Sequence, residues 1–323
     1  MLMRDHARAV LVGAQILMRA TGIGLCIVAV ESDKPDAIQQ LGESLAALDD
    51  SRIVIKQVPT IYPSGGEDQL VQLVVNREVP SGGLPTDAGC LVQNVGTAAA
   101  VYNWIVENEP LISRISTITG DGVSEPMNVA ARIGTMVADV VDFAGGYTDR
   151  AEQLIIGGPM TGRSVSTDRV PLVKATNCIL ALSAPPSSGP ELPCIRCGDC
   201  ATVCPIQLQP QAIFWHACAD NEEQLRVHGL TDCIECGCCD LVCPSHIPLT
   251  ADFRKAKGRI RELADEKARA ERARKRFEAR GERLDQQNRE REQELAQQKE
   301  TARQAGAAEI AEILKRKRDK DGD

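Results

Sequence analysis

Two stretches decide how this chain is read: Cys194-Ile-Arg-Cys197-Gly-Asp-Cys200-Ala-Thr-Val-Cys204-Pro205 and Cys233-Ile-Glu-Cys236-Gly-Cys238-Cys239-Asp-Leu-Val-Cys243-Pro244. Each follows C-x2-C-x2-C-x3-C-P, the spacing that holds cubane [4Fe–4S] clusters in bacterial two-cluster proteins. A cubane needs four thiolates at the corners of a tetrahedron. Two-residue gaps let three sulfurs of one tight turn converge. The fourth cysteine, a helical turn further on, ligates the other cluster. The spacing therefore predicts one cluster on Cys194, Cys197, Cys200 and Cys243, and a second on Cys233, Cys236, Cys239 and Cys204. Pro205 and Pro244 turn the chain away after the fourth ligand, because proline fixes φ and supplies no N–H. Cys238 lies off the spacing and is expected to pack near the cluster as a non-ligand.

Other uses of cysteine fit less well. A structural zinc takes four ligands, usually from two C-x2-C pairs, and eight cysteines in two matching runs exceed that need. A disulfide framework belongs to small secreted domains, whereas this chain has 323 residues and no signal peptide. Cys26, Cys90, Cys178 and Cys218 read as small buried hydrophobes. His216, His228 and His246 read as non-ligands, since the cysteines already suffice.

Composition narrows the function class. With 43% hydrophobic residues the chain can bury a core, and its length suggests two or three domains. Aromatics make up only 3%, which argues against a surface that stacks nucleic-acid bases, so no nucleic-acid partner is expected. Thirteen cysteines without a signal peptide imply a reducing compartment. No apolar run approaches the roughly 18–20 residues needed to span a bilayer, so a soluble or peripheral protein is expected. Charge is uneven: residues 1–250 carry 15 basic and 28 acidic side chains, and residues 251–323 carry 22 and 17, so the net charge changes from −13 to +5.

Along the chain, apolar residues at helical spacing over 4–20 are followed by Leu25-Cys-Ile-Val-Ala-Val30, a continuous run that reads as a buried parallel strand. Pro35 opens a helix through about Leu48, and Ile53-Val-Ile55 begins another strand. This rhythm indicates an α/β domain over 1–110. The loop Tyr62-Pro-Ser-Gly65-Gly66-Glu67 follows a strand and opens a helix, where α/β ligands bind. Glu67 is equally explained as an acid favoured at a helix N-terminus. Asn94 and Thr97, at the start of a later helix, suit either a phosphate or a plain cap.

Residues 111–184 read as a small β-rich module, with strands at 115–119 and 153–156, a Gly120-Asp-Gly122 turn and a helix Val137–Phe143. Ser183–Pro190 has linker composition, the linker proper being assigned to 185–190. A helical two-cluster domain occupies 191–250. Within it Gln209–Leu225 reads as helix, with Phe214 and Trp215 available to cover a cluster. From 251 to 323 a charged helical or disordered tail follows, its apolar residues too sparse for a coiled-coil seam. Lys315-Arg-Lys-Arg318 reads as a solvated helix end rather than an anionic-lipid contact.

Several motifs, in order, resemble the RnfC/RsxC component of the Rnf/Rsx ion-translocating electron transport complex of proteobacteria. They are Tyr62-Pro-x-Gly-Gly-Glu-x-Gln-Leu70, Arg77-Glu-Val-Pro-Ser-Gly-Gly-Leu-Pro85, Gln93-Asn-Val-Gly-Thr97, Thr119-Gly-Asp-Gly122, Gly157-Gly-Pro-Met160, Lys174-x-Thr-Asn-x-Ile-Leu180 and the two cysteine runs. The resemblance covers about residues 1–255. It implies an FMN/NADH-binding α/β domain, a β-grasp domain at 111–184, a two-cluster ferredoxin-type domain and a charged tail. It implies the role of a translocase subunit at the cytoplasmic face of the bacterial inner membrane, passing electrons from NADH through FMN and two [4Fe–4S] clusters to the membrane subunits of the Rnf/Rsx complex. By the same resemblance Glu67 lies near the nicotinamide and flavin, and Asn94 and Thr97 lie near the FMN phosphate.

One family feature has no counterpart. The G-x-G-G-A-G-F-P type loop for FMN and NADH lies, in the family, ahead of the segment matched by Leu2-Met-Arg4, so the chain is expected to begin inside the nucleotide-binding domain. Gly22-Ile-Gly24 precedes a strand and does not replace that loop. Two readings stay open: an NADH-oxidising flavoprotein subunit, or an iron–sulfur relay that binds neither NADH nor FMN. A soluble ferredoxin-type adaptor of another oxidoreductase is a third.

Overall fold

The computed structural model describes residues 1–184 and 189–320, with side chains to residue 314. Most of the 185–190 linker and the Lys315–Arg318 side chains lie outside the described residues. The chain divides into two units, Met1–Lys257 and Gly258–Asp323.

The first unit begins with helices α1 (Leu2–Asp5) and α2 (Ala7–Thr21), strand β1 (Cys26–Glu31), helix α3 (Pro35–Leu48) and strand β2 (Ile53–Val58). β1 and β2 pair in parallel, with Cys26 opposite Ile53 and Glu31 opposite Val58. Leu11, Met18, Val28, Val30, Leu41 and Ile53 form the core between this sheet and its helices. The expected strand, buried on both faces, is instead covered on one. Val28 and Val30 point inward, but Val54 on β2 is 45% exposed and Leu25, just before β1, is 55% exposed.

Helices α4 (Glu67–Val75) and α5 (Val95–Val106) complete this part. α5 crosses α2 closely because Gly13 carries no side chain: a Cβ there would stand 1.9 Å from the carbonyl oxygen of Ala98. That contact sets the position of the α5 N-terminus, where Asn94 and Thr97 sit.

Residues 113–182 build a five-stranded sheet from β3 (Ser113–Thr119), β4 (Met127–Arg132), β5 (Gln153–Ile156), β6 (Arg163–Val165) and β7 (Cys178–Leu182), in the order β4-β3-β7-β5-β6. The central pair β3–β7 is parallel and the other pairs are antiparallel. Helix α6 (Val137–Phe143) lays Val137, Val140 and Val141 against Ile118, Ile179 and Ala181. Ser116, fully buried on β3, donates to the Thr176 carbonyl at 2.7 Å, so its hydroxyl is satisfied inside the core.

The cysteine-rich part contains short helices α7 (Asp199–Thr202) and α10 (Cys238–Leu241), longer α8 (Pro210–Cys218) and α9 (Glu222–Val227), and the first residues of α11 (Leu249–Lys320). The helix expected over Gln209–Leu225 is broken. Asp220 takes φ 54°, and Asn221 caps α9 by accepting from the Gln224 N–H at 3.1 Å. Asn and Asp tolerate this geometry because their side chains bond the local backbone. Ile213, Leu225, Leu230 and Phe253 are the buried anchors here.

The second unit is the remainder of α11. Beyond the buried Ile260, described apolar side chains stand in solvent, with Phe277 78% and Leu284 48% exposed. Intrahelical pairs such as Arg274–Glu271 at 3.0 Å and Arg274–Glu278 at 3.6 Å add a few tenths of a kcal/mol each. Among the described residues no helix is long and apolar enough to cross a membrane.

Replacing a helical glycine by alanine normally stabilises by roughly 0.5–1 kcal/mol. At Gly13 the 1.9 Å approach reverses the sign, and overpacking costs about 1–3 kcal/mol. Gly13→Ala is expected to lower the thermal unfolding midpoint; a rise would refute the close α2–α5 crossing.

Candidate metal centres

The two cysteine runs belong to an internal repeat offset by 39 residues. The repeat extends past the cysteines: Ile195 corresponds to Ile234, Phe214 to Phe253 and Ala217 to Ala256. Backbone conformation repeats too. Arg196 and Glu235 have φ of 61° and 56°, Gly198 and Gly237 have 89° and 80°, and Gln207 and His246 have 56° and 51°. Left-handed residues turn each loop inward, so successive cysteines face one side. Gly198 and Gly237 then start α7 and α10 without a Cβ penalty.

Two recesses result. One is lined by Cys194, Cys197, Cys200 and Cys243. The other is lined by Cys204, Cys233, Cys236 and Cys239, with Cys238 beside them. The first recess thus gathers three cysteines of one run and the last of the other, and the second gathers the converse set together with Cys238. Phe214 lies on the first wall and its counterpart Phe253 on the second. Trp215 does not line a recess; its ring lies under the Arg196 guanidinium, 4.7 Å from the centroid.

Among the described residues no group of three or more His, Cys, Asp or Glu side chains forms a site for a single metal ion. A lone zinc would draw four sulfurs to about 2.3 Å from one point, whereas a cubane spreads its ligands around a cube. The donor set, four sulfurs about an apolar hollow, fits the larger group. His216 and His228 stack on each other with ring centroids 5.0 Å apart, and neither they nor His246 line a recess.

Sulfur electrostatics follow burial. Desolvation pushes the Cys200 and Cys233 thiols up, and Cys239, the buried cysteine, is pushed up most strongly, with Asp240 adding to the effect. Cys238 is pushed up to about 11 by burial and by Cys236. Thiolates form readily at such positions only beside a cation, and metal ions deprotonate coordinating thiols outright. Polar neighbours repeat as well. Cys200 Sγ lies 3.3 Å from Gln211 Oε1, and Cys239 Sγ lies 4.0 Å from the hydroxyl of Thr250, the residue equivalent to Gln211.

The repeat's loops are clamped to the following helix by different chemistry at one equivalent position. In the first half this is the Arg196–Trp215 cation–π contact. In the second, Glu235 accepts from Arg254 at 2.8 Å and from Lys257 at 3.0 Å. Burial opposes the Glu235 charge, but the two cations outweigh it and hold the carboxyl below its usual range. Lys257 also donates to the Cys233 carbonyl.

The second recess is the one that meets the rest of the unit. The Tyr62 hydroxyl donates to the Cys236 carbonyl at 2.7 Å, and the Ser81 hydroxyl donates to Asp232 at 2.7 Å. Arg254 reaches the Thr161 carbonyl at 3.4 Å. Met160 O lies so near Gly237 that a Cβ would stand 2.7 Å from it. Beside the first recess, Cys197 is exposed, Ile195 is 67% exposed and Leu192 52%.

The other expected site residues lie on helix starts. Glu67 is the exposed first residue of α4. Asn94 caps α5, its side-chain oxygen accepting from the Gly96 N–H at 2.8 Å, so the capping role is realised. The Thr97 N–H is satisfied by the Asn94 carbonyl at 2.8 Å, while the Thr97 side chain is exposed. Among the described residues no hydrogen bond joins Glu67 to Asn94 or Thr97. A residue that the sequence motifs do not single out is Arg114. Its guanidinium lies beside Gly96, 3.2 Å from where a Cβ would stand. A cation at a helix N-terminus opposes the dipole and favours an anion there. Of the isolated cysteines, Cys26, Cys90 and Cys178 are half-buried, but Cys218 is exposed, contrary to expectation, because it closes α8 on the solvent side.

The clamps predict unequal losses. Arg196→Ala removes an exposed cation–π contact worth about 0.5–1 kcal/mol. Glu235→Ala strips two cations of their partner and costs roughly 1.5–3 kcal/mol. Thermal unfolding midpoints of the two variants are expected to fall in that order, and equal shifts would refute the assignment.

Residues 1–103 match the Nuo51 FMN-binding domain family and residues 115–164 match the SLBB domain. The C component of the ion-translocating oxidoreductase complex of Pseudomonas aeruginosa is 50% identical over 286 residues, covering 88% of this chain and 37% of that protein. The protein of the same description from Cronobacter sakazakii is 43% identical, covering 100% of this chain and 42% of its own length. The chain therefore spans about two-fifths of the length of these relatives. A solved NAD+-reducing [NiFe]-hydrogenase in the H2-reduced state superposes on 79% of the chain, and on 52% of its own, with a TM-score of 0.49 and 16% identity. Over the part that it spans, this chain belongs to the RnfC family, the C components of ion-translocating oxidoreductase complexes.

Proposed function

We propose that this chain is an electron-transfer subunit of a membrane ion-translocating oxidoreductase, peripheral at the cytoplasmic face of the inner membrane, carrying electrons from NADH through FMN to membrane subunits. The observation that carries this reading is the pair of recesses, each lined by cysteines of both runs. Cys194, Cys197, Cys200 and Cys243 would hold one [4Fe–4S] cluster, and Cys233, Cys236, Cys239 and Cys204 the other. Flavin accepts the two electrons of a hydride and releases them singly, which matches the one-electron capacity of each cubane.

The chain's own residues divide the task. Asn94 fixes the α5 N-terminus by capping it, leaving the Thr97 hydroxyl and Arg114 to meet the FMN phosphate. Glu67, at the start of α4, stands where an acid near the nicotinamide is expected. Tyr62 and Ser81 tie the loops of this region to Cys236 and Asp232, which supports the second recess as the electron entry side. Ile195 and Leu192 leave apolar surface beside the first recess, which supports that side as the exit.

Two measurements test the reading. Anaerobically reconstituted chain with added FMN is expected to show cluster bleaching on addition of NADH. Bleaching by dithionite alone would favour the relay that binds neither NADH nor FMN. In Cys243→Ala, iron counting and EPR are expected to show loss of the cluster on Cys194, Cys197 and Cys200, with the other intact. Loss of only the cluster on Cys233, Cys236 and Cys239 would refute the crossed ligation.

A further inference from the structure

Cys238 is the member of the second run that the cysteine spacing leaves over. Its equivalent in the first half of the repeat is Asp199, the opening residue of α7. An acid suits a helix start, and Asp199 is exposed and does not line the first recess. Cys238, opening α10, is half-buried and lines the second recess together with Cys204, Cys233, Cys236 and Cys239. Cys236 and Cys204 stand on the same wall as Cys238. The second recess thus has five sulfurs on its wall where the first has four. Tyr62 is near both Cys236 and Cys238, and its hydroxyl bonds the Cys236 carbonyl.

We infer that Cys238 is a reserve iron ligand that replaces Cys236 when the Cys236 sulfur is lost or displaced. The inference rests on the cluster reading of the second recess. The exchange is redox-neutral. Where the Cys236 sulfur is displaced, its Fe–Sγ bond breaks, one to Cys238 forms and the Cys238 proton passes to the departing thiolate; where residue 236 has no sulfur, the Fe–Sγ bond to Cys238 forms and its proton goes to solvent. No electron moves. Nothing equivalent exists in the first recess, where Asp199 faces solvent, so the capacity belongs to one site only.

The test compares Cys236→Ala with Cys236→Ala/Cys238→Ala in the full chain, reconstituted anaerobically with iron and sulfide. Iron and acid-labile sulfide per chain, EPR of the dithionite-reduced protein and mapping of alkylated cysteines are read together. The single variant is expected to keep both cluster signals, the second with an altered line shape, and to protect Cys238 from alkylation. The double variant is expected to lose about half the iron, with the first cluster's signal intact as the folding control. Loss of the second signal in the single variant, or free alkylation of Cys238 there, overturns the inference. If Cys236→Ala loses both signals, Cys236→Ser preserves the packing volume and Cys238 protection is scored in the same way. An unsubstituted chain that takes up no iron would overturn the cluster assignment itself, and this inference with it.

Discussion

Desolvated sulfur is the constraint on which this molecule depends. Cysteines are drawn into two apolar hollows where burial opposes ionisation, most strongly at Cys239 and appreciably at Cys200 and Cys233. Without a cation, four thiols facing one hollow gain little from one another. A bound metal as counter-charge would make the same arrangement favourable, because a metal ion reverses the local preference for the protonated form. The surrounding structure is shaped to present that sulfur: left-handed residues turn the loops inward, Phe214 and Phe253 wall the hollows, and Glu235 ties its loop to the next helix.

The repeat explains how so short a segment makes two sites. A loop, a short helix and a longer helix occur twice, and each copy sends its last cysteine across to its twin. The copies have diverged where they meet different surroundings. The first clamps its loop with an exposed cation–π contact. The second uses an ion-pair network that also reaches the Thr161 carbonyl of the β-sheet part. Divergence at equivalent positions thus separates a half that packs against the rest of the unit from one that leaves apolar residues in solvent.

Legibility in the sequence is uneven, for physical reasons. Cysteine spacing is a local signal, and the cysteines that it groups line the two recesses, with Cys238 added to the second. Helices with sharp ends are equally legible: α3 begins at Pro35 and ends at Leu48, and α6 covers Val137–Phe143. The edge strands β4 and β6 are not legible, because half-exposed edges carry weak alternation. β7 escapes a sequence reading because its place beside β3 depends on a partner about 60 residues away. Arg114 is invisible for the same reason: its meeting with the start of α5 depends on tertiary placement. Asn94 illustrates the limit at a site, since a cap and a phosphate contact share one sequence signature.

The crossing of the two runs has a consequence for how the chain comes apart. Because Cys204 serves the far hollow and Cys243 the near one, neither half of the repeat owns a complete set of sulfurs. Opening either half removes a corner from both hollows, so the two are coupled as one cooperative unit rather than as independent compartments. Stability measured at one hollow therefore reports on the other, and a nick between Cys204 and Cys233 would leave two pieces that complete both hollows only when they reassociate.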